Sequence, residues 1–252
     1  MNWRSRLGIL AAAGLFLARS AAAEPLVLGY PAVLSLPEEG RGAPPPELAD
    51  AVEVIRVAAL EVKWEPVPLE RRFERLKNGP ANFCLPAVFK TPDHLGLGSF
   101  SDSYAALAPF VIVSLASKAA EIERQGTASA LLADDRLTLV IFAGMSFGQF
   151  LDAHIQAAAG HVEAIYSDSA DTLGMLLSGR GDYGIARKTP SVQRIEASGR
   201  SASDFAFITF PDMPQAEPVY FLCSKTVAAG TMARINHAIR QIRESQSTVA
   251  AP

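Results

Sequence analysis

The five residues 144–148 have the residue pattern of a serine nucleophile. They read Gly-Met-Ser-Phe-Gly and lie between a predicted strand at 137–142 and a predicted helix at 146–158. In that setting a Gly-x-Ser-x-Gly turn exposes the serine hydroxyl, and Asp182 and His237 follow in the order of a hydrolase triad. However, His237 lies inside a predicted helix, and the early glycine-rich segment that an oxyanion hole would need lies in a proline-rich loop. A small secreted serine esterase is therefore an alternative, and we predict that the protein is not an enzyme.

The same turn could bind an anion without any chemistry. Backbone N–H groups at the start of a helix attract negative charge, and together with Gly144 and the Ser146 hydroxyl they would form an anion cradle. In the simpler interpretation, Ser146 is only the N-cap residue that begins the helix. Both interpretations place Ser146 at a helix N-terminus.

Three further side chains lie at predicted strand ends and could contact a ligand. Tyr30 ends the first predicted strand and Phe89 ends the third, so each either faces a ligand or packs in the core. Arg187 follows the apolar strand 183–186 and is either a ligand clamp or a surface cation. The four histidines show no metal-ligand spacing, so we predict neither a metal nor a cofactor.

Strand and helix patterns alternate along the chain. The first elements are predicted strands at 26–30, 62–67 and 83–89 and helices at 47–60 and 69–76. A second block over 117–205 has helices at 121–132, 146–158 and 169–177 and strands at 137–142, 162–166 and 183–186, before a strand at 219–223 and a helix at 231–243. This alternation predicts parallel sheets with crossover helices.

Two connections divide these elements into blocks, an apolar run at 108–115 and a proline-rich segment at 211–218. Their positions predict a discontinuous first lobe over 24–113 plus 212–252 and a second lobe over 114–211. The predicted fold class is therefore α/β, with two lobes and a ligand cleft between them. Parallel sheets bind ligands at the carboxyl ends of their strands, which would face this cleft.

The first 23 residues have the features of a secretory signal peptide. Arg4 and Arg6 precede an apolar run at 7–17, and three alanines form a small-residue cleavage site that ends at Ala23. We therefore expect cleavage near Ala23 and a periplasmic protein without a membrane anchor. The leader contains three of the 23 basic residues and none of the 26 acidic ones, so the mature chain has a net charge of −6. An acidic chain without a clustered basic face predicts no nucleic-acid partner.

Cys84 and Cys223 both belong to the predicted mature chain. An oxidising compartment allows them to form a disulfide. Two buried thiols in separate strands are the alternative. The sequence leaves both arrangements open.

Short motifs in both predicted lobes follow the order of a known family. They lie at 63–68 (Lys-Trp-Glu-Pro-Val-Pro), 76–79 (Leu-Lys-Asn-Gly), 90–94 (Lys-Thr-Pro-Asp-His), 99–104 (Ser-Phe-Ser-Asp-Ser-Tyr), 144–146 (Gly-Met-Ser), 176–182 (Leu-Leu-Ser-Gly-Arg-Gly-Asp) and 223–225 (Cys-Ser-Lys). By this order and spacing the chain resembles the periplasmic solute-binding proteins of the polar amino-acid class (family 3-like), which serve ATP-driven importers. The resemblance implies a type II periplasmic-binding-protein-like fold and a monomer. It also implies a small-molecule ligand in the cleft and an inner-membrane ABC permease as partner.

The chain departs from this family at the residues that hold an amino acid. His94 stands where the family has an arginine that clamps the ligand carboxylate, and an imidazole cannot form that bidentate fork. Arg187 falls near the aspartate that pairs with the ligand ammonium, while Pro86, Ala87 and Phe89 replace a polar cluster. These replacements favour an anionic or aromatic solute over an ordinary α-amino acid. A periplasmic accessory or sensor protein with the same fold and altered ligand binding is the alternative.

Overall fold

The computed structural model describes residues 25–34, 36–37, 43–158, 161–166 and 171–249. The predicted signal peptide and its cleavage site lie outside these residues. The described chain forms two β-sheets with helices packed on them. In this part of the chain no helix combines the length and the apolar character needed to cross a membrane.

The first sheet combines strands from both ends of the described chain. Its strands are β1 (Leu26–Pro31), β2 (Val62–Val67), β3 (Phe83–Phe89), β4 (Ser99–Phe100), β5 (Ala105–Leu107) and β11 (Glu217–Cys223). They are ordered β2-β1-β3-β11-β4, with β5 also paired to β11. The predicted parallel arrangement holds for β1, β2 and β3 only. β11 returns from the second sheet and runs antiparallel to its neighbours, so the sheet is mixed.

The second sheet is also mixed. Its strands are β6 (Phe110–Leu115), β7 (Leu139–Phe142), β8 (Val162–Ile165), β9 (Tyr183–Arg187) and β10 (Phe205–Ile208), in the order β10-β6-β9-β7-β8. β7 is parallel to β8 and β9, whereas β6 is antiparallel to β9 and β10. β6 therefore belongs to the second sheet, although the predicted division assigns 110–113 to the first lobe. We call each sheet with its helices a lobe; the other limits of the predicted division stay predictions.

Helices cover both sheets. They are α1 (Pro46–Val57), α2 (Arg72–Asn78), α3 (Ala119–Glu123), α4 (Ala128–Ala133), α5 (Gln149–Ala157), α6 (Thr172–Leu177), α7 (Lys188–Ala197) and α8 (Ala229–Val249). The predicted helix 121–132 is in fact α3 and α4. It is interrupted at Gly126, whose φ of 75° is left-handed, and Thr127 then caps α4 by accepting from the Ala130 N–H. The sequence patterns missed α7 and β10.

Alternating side chains attach each sheet to two layers. In β3, Phe83 and Leu85 pack with Leu76 of α2, whereas Cys84 between them packs with the cluster that contains α1 and α8. Successive side chains of a strand point to opposite faces, so this alternation buries both faces of the first sheet. The carboxyl ends of the strands, and not the faces of the sheet, are therefore left to meet a ligand.

Cys84 and Cys223 form a disulfide. The two residues are register partners in β3 and β11, their Cα atoms are 3.9 Å apart, and both are fully buried. Of the two arrangements that the sequence left open, the structure has the disulfide. It joins strands that are 139 residues apart in the chain.

Candidate functional site

A cavity of about 360 Å³ is lined by both lobes, and we call it the inter-lobe cavity. The first lobe contributes segments that follow β1, β2 and β3, and the second lobe contributes segments that follow β7 and β9. These are the carboxyl ends of parallel strands in both sheets. The cavity therefore lies where an open α/β sheet binds ligands.

His94 lines the inter-lobe cavity and is held by its own lobe through Nδ1 and the face of its ring. It ends a 3-10 turn (Pro92–His94), and its ring stacks on Phe73 with centroids 4.2 Å apart. Its Nδ1 lies 2.9 Å from the Phe89 carbonyl oxygen. A carbonyl only accepts, so Nδ1 carries the proton and Nε2 of a neutral ring is left as an acceptor. The Nδ1–H is therefore committed to the Phe89 carbonyl and is not free to hold a ligand carboxylate.

Gly144 also lines the cavity, and its backbone touches the other lobe. Its φ is 74°, and a Cβ built there would lie 2.6 Å from the Cα of Glu70. Glu70 belongs to the 3-10 turn Leu69–Arg71 of the first lobe. Gly144 thus has two reasons to be glycine, the left-handed conformation and the close approach of the two lobes.

Ser146 lines the cavity too, but it does not begin the helix. α5 starts at Gln149, with Gly148 as its N-cap at a φ of 92°. The Ser146 hydroxyl donates to Asp152 Oδ2 at 2.5 Å, and the Phe147 N–H donates to Asp152 Oδ1 at 2.7 Å. The N-cap interpretation of Ser146 was therefore wrong, because Gly148 takes that position. The anion-binding role of Gly144 and Ser146 stays a prediction.

The esterase alternative requires three residues that the structure keeps apart. Asp182 lies at the amino end of β7, where it accepts from the Thr138 N–H at 2.7 Å and pairs with Lys118. Ser146 follows the carboxyl end of the same strand, and a four-residue strand spans about 13 Å. His237 is exposed on α8 in the first lobe. The Gly-x-Ser-x-Gly match therefore has none of the contacts of a nucleophile elbow.

Arg187 ends β9 and lines the cavity from the second lobe. Its Nε donates to the Ala108 carbonyl at 3.1 Å, and its guanidinium carbon lies 4.3 Å from the centroid of the Phe110 ring. Burial lowers the pKa of Arg187, while the field of Glu47 opposes that shift. Of the two sequence interpretations, a cation at the cavity fits this position and a freely solvated surface cation does not.

The two aromatic candidates are placed differently. Phe89 lines the cavity and packs against Phe110 at a centroid distance of 6.2 Å, which joins β3 to β6 across the lobes. Tyr30 is not among the described residues that line the cavity. Its ring meets Trp64 edge-on at 6.4 Å, and the next residue, Pro31, lines the cavity instead. Tyr30 therefore has the core-packing role that the sequence left as its alternative.

Arg72 is a cavity residue that the sequence interpretation missed. Its side chain lines the cavity, and the residue is only 7% exposed. Its Nη2 donates to the Pro86 carbonyl at 2.8 Å, and burial lowers the pKa of its guanidinium to about 10. A signal was available, because Leu69 and Leu76 lie three and four residues away on the buried face.

Cations outnumber carboxylates around the cavity. Its charged lining residues, apart from His94, are Arg72, Arg187, Arg194, Glu47 and Asp171. Asp171 is engaged as the N-cap of α6, since it accepts from the Gly174 N–H at 2.6 Å. No carboxylate of the described chain forms an ion pair with Arg72 or Arg187. In the same residues, no group of three or more potential ligand side chains could hold a metal ion.

No family model and no curated protein sequence matches this chain. Solved structures do match. An ancestral arginine-binding protein bound to arginine is 15% identical, covers 87% of this chain and 92% of its own, and gives a TM-score of 0.63. The substrate-binding protein AbpA of an amino acid ABC transporter from Streptococcus pneumoniae, bound to L-arginine, is 13% identical, with coverages of 88% and 90% and a TM-score of 0.65. A histidine-bound ABC uptake protein from the same species is 17% identical, with coverages of 88% and 87% and a TM-score of 0.65.

These similarities confirm the predicted fold class. The chain has the two-lobed α/β fold of the amino-acid-binding proteins that serve ABC transporters, over nearly all of the described residues. The motif order in the sequence indicated the same proteins. The neighbours are described as binding proteins rather than enzymes, which agrees with the absence of a nucleophile elbow in the described turn.

Proposed function

We propose that this protein is an exported solute-binding protein that captures a small solute in the periplasm and delivers it to an ABC importer. The observation that carries the proposal is the inter-lobe cavity, which both lobes line with the carboxyl ends of their strands. A ligand bound there contacts both lobes at once. It therefore stabilises a closed arrangement over an open one, and that difference is what a permease can recognise.

The cavity residues support a solute other than an ordinary α-amino acid. The arginine- and histidine-bound proteins of the same fold bind zwitterions. In this chain His94 is bonded to its own lobe, and Arg187 stands near the position expected for the partner of an ammonium group. An anionic or aromatic solute suits these residues better, since arginine attracts acidic groups and stacks on rings.

Thermal unfolding of the mature protein against a library of amino acids, organic acids and aromatic solutes tests the binding function. A ligand present at 100 times its Kd adds about 2.7 kcal/mol to the free energy of unfolding, which gives a clear rise in Tm. Calorimetry on each hit then gives the affinity. If no solute raises Tm, the accessory or sensor alternative is favoured.

Two further measurements test export and delivery. We expect the protein purified from the periplasm to begin near Glu24, as N-terminal sequencing will show. Uptake of the identified solute should fall in cells that lack the gene. Labelling of Ser146 by a fluorophosphonate probe would instead support the esterase. We expect none, because the hydroxyl donates to Asp152 and bonds to no histidine base in the described residues.

A further inference from the structure

Arg72 is a buried cation whose charge no described side chain balances. Its Nε–H has no acceptor in the described part of the chain, and no carboxylate there forms an ion pair with it. Tyr104, whose charge state acts on Arg72, stays a neutral phenol because burial raises its pKa. A buried charge without a partner costs free energy, so a structural role alone does not account for Arg72.

Apolar side chains form much of the cavity surface that Arg72 shares. Leucine, valine and isoleucine side chains line the cavity together with four phenylalanines, which are Phe73, Phe89, Phe110 and Phe142. A small inorganic anion would leave this surface without a partner. A ligand that fills the cavity therefore has an apolar or aromatic body as well as an acidic group.

The cavity offers an ammonium group fewer partners than it offers a carboxylate. Asp171 is occupied by the N-terminus of α6, and Glu47 lies in the field of Arg187. A second cation near Glu47 would be repelled by that arginine. We propose that the solute is an organic acid with an apolar or aromatic body and no ammonium group, and that Arg72 holds its carboxylate. This inference rests on the proposed solute-binding function and names its substrate class.

Matched pairs of acids and amides measure how much the carboxylate contributes to the binding affinity. Phenylacetate, 3-phenylpropionate and hexanoate are titrated by calorimetry beside their amides, with L-phenylalanine and inorganic phosphate as further arms. We expect at least one acid to bind ten times or more tightly than its amide, because a hydrogen bond to a charged group is worth about a factor of ten. We expect L-phenylalanine and phosphate to bind more weakly than that acid.

Arg72→Gln tests the residue, and Arg71→Gln is its matched control. Glutamine keeps an amide donor on a shorter side chain but carries no charge, whereas Arg71 is the exposed neighbour in the same segment. We expect Arg72→Gln to weaken binding of the acid at least tenfold and Arg71→Gln to change it less than twofold. The ligand-free Arg72→Gln protein should keep or raise its Tm, because an unpaired buried charge is removed. A purely structural arginine would give a lower Tm and unchanged affinity in the protein that remains folded.

The outcomes distinguish this inference from the function on which it rests. If L-phenylalanine or another zwitterion binds more tightly than every acid, the substrate class is wrong and solute binding stands. The same holds if no acid exceeds its amide while a different solute raises Tm. If no solute of any class binds, both the substrate class and the proposed function fail.

Discussion

The two lobes hold their charges and their strands in different ways. The first lobe joins its central strands β3 and β11 by a buried disulfide and contains Arg72, a buried cation without a described carboxylate partner. The second lobe contains neither cysteine and balances only part of its charge internally. Asp182 pairs with Lys118, whereas Arg187 at the cavity has no carboxylate partner in the described residues.

This difference shows that the first lobe places a stabilising bond next to a candidate ligand-binding group. Arg72 donates to the carbonyl of Pro86, which lies two residues beyond Cys84 in the same strand. The covalent link thus lies beside the group that costs stability. A site that keeps an unpaired charge for its ligand needs a rigid support, and the first lobe has one at that point.

Removing the disulfide should have the largest effect. We expect the double variant Cys84→Ala with Cys223→Ala to lose about 2–5 kcal/mol of unfolding free energy, because the bridge closes a long loop. Urea unfolding measures this loss. Hydrogen exchange should show amides of β3 and β11 losing protection before those of β6 and β9. An equal loss of amide protection in both lobes would contradict the inference that the disulfide stabilises the first lobe alone.

Gly144→Ala should have the next largest effect, since it acts where the lobes touch. Its Cβ would meet the Glu70 backbone, so we expect a loss of about 2–3 kcal/mol and a larger radius of gyration in solution scattering. Gly126→Ala is the matched control. Its φ is 75°, but nothing lies within 4 Å of the added Cβ, so only the backbone cost of about 1 kcal/mol applies. Equal losses in the two variants would mean that the lobe contact is unimportant.

The ionic contact of the second lobe should matter less than the covalent one of the first. We expect Asp182→Ala to cost about 1–2 kcal/mol, because Thr138 N–H and Lys118 lose a charged acceptor. Arg180→Ala, which breaks an exposed pair with Glu163, should cost about 1 kcal/mol or less. A double-mutant cycle with Lys118→Ala isolates the ion pair. A loss from Asp182→Ala as large as that from the disulfide variant would overturn the comparison.

The smallest effect concerns pH. Burial raises the pKa of Asp152 and that of Glu217, and the charge of Asp152 adds to the shift of Glu217. Each folded-state pKa therefore lies above the unfolded one, so the folded protein binds more protons between them. Stability falls as pH rises through that window, and the loss persists at neutral pH.

Asp152→Asn tests that pH dependence. The asparagine carbonyl can still accept from the Phe147 N–H, and its NH2 group can donate to the Ser146 hydroxyl oxygen in place of the bond that Asp152 accepts. We therefore expect a small gain in Tm at neutral pH and a flatter Tm profile on the acidic side. Asp204→Asn, on the exposed 3-10 turn Ala202–Asp204, is the control and should leave the profile unchanged. A steeper profile in Asp152→Asn would reverse the sign of the inferred shift.

Much of the fold was predictable where turn-forming residues flank an apolar run. The predicted limits of β2 and β3 match the structure because proline, glycine and asparagine flank those strands. The antiparallel return of β11 was not predictable from its own residues, since direction depends on a partner far away in the chain. α7 was missed because Ile195 is its only buried residue, which leaves no apolar stripe.

The site was less predictable than the fold. Five of the predicted ligand-binding residues line the cavity, because the ends of strands can be predicted from sequence. They are Phe89, His94, Gly144, Ser146 and Arg187. The hydrogen bonds and the burial of these side chains could not be predicted from the sequence. A Gly-x-Ser-x-Gly pattern does not reveal that Asp152 will take the hydroxyl, and a run of arginines does not reveal which one is buried.

The disulfide has a consequence for the order in which the chain is made. Synthesis proceeds from the amino end, so Cys84 emerges 139 residues before the cysteine to which it is joined. Every strand of the second sheet emerges in that interval, and that lobe can complete its own pairing first. The first sheet must wait for its last strand, with one thiol exposed to oxidants and to other thiols meanwhile. The first lobe is thus begun first and completed last, and its disulfide can form only when the last strand of its sheet is present.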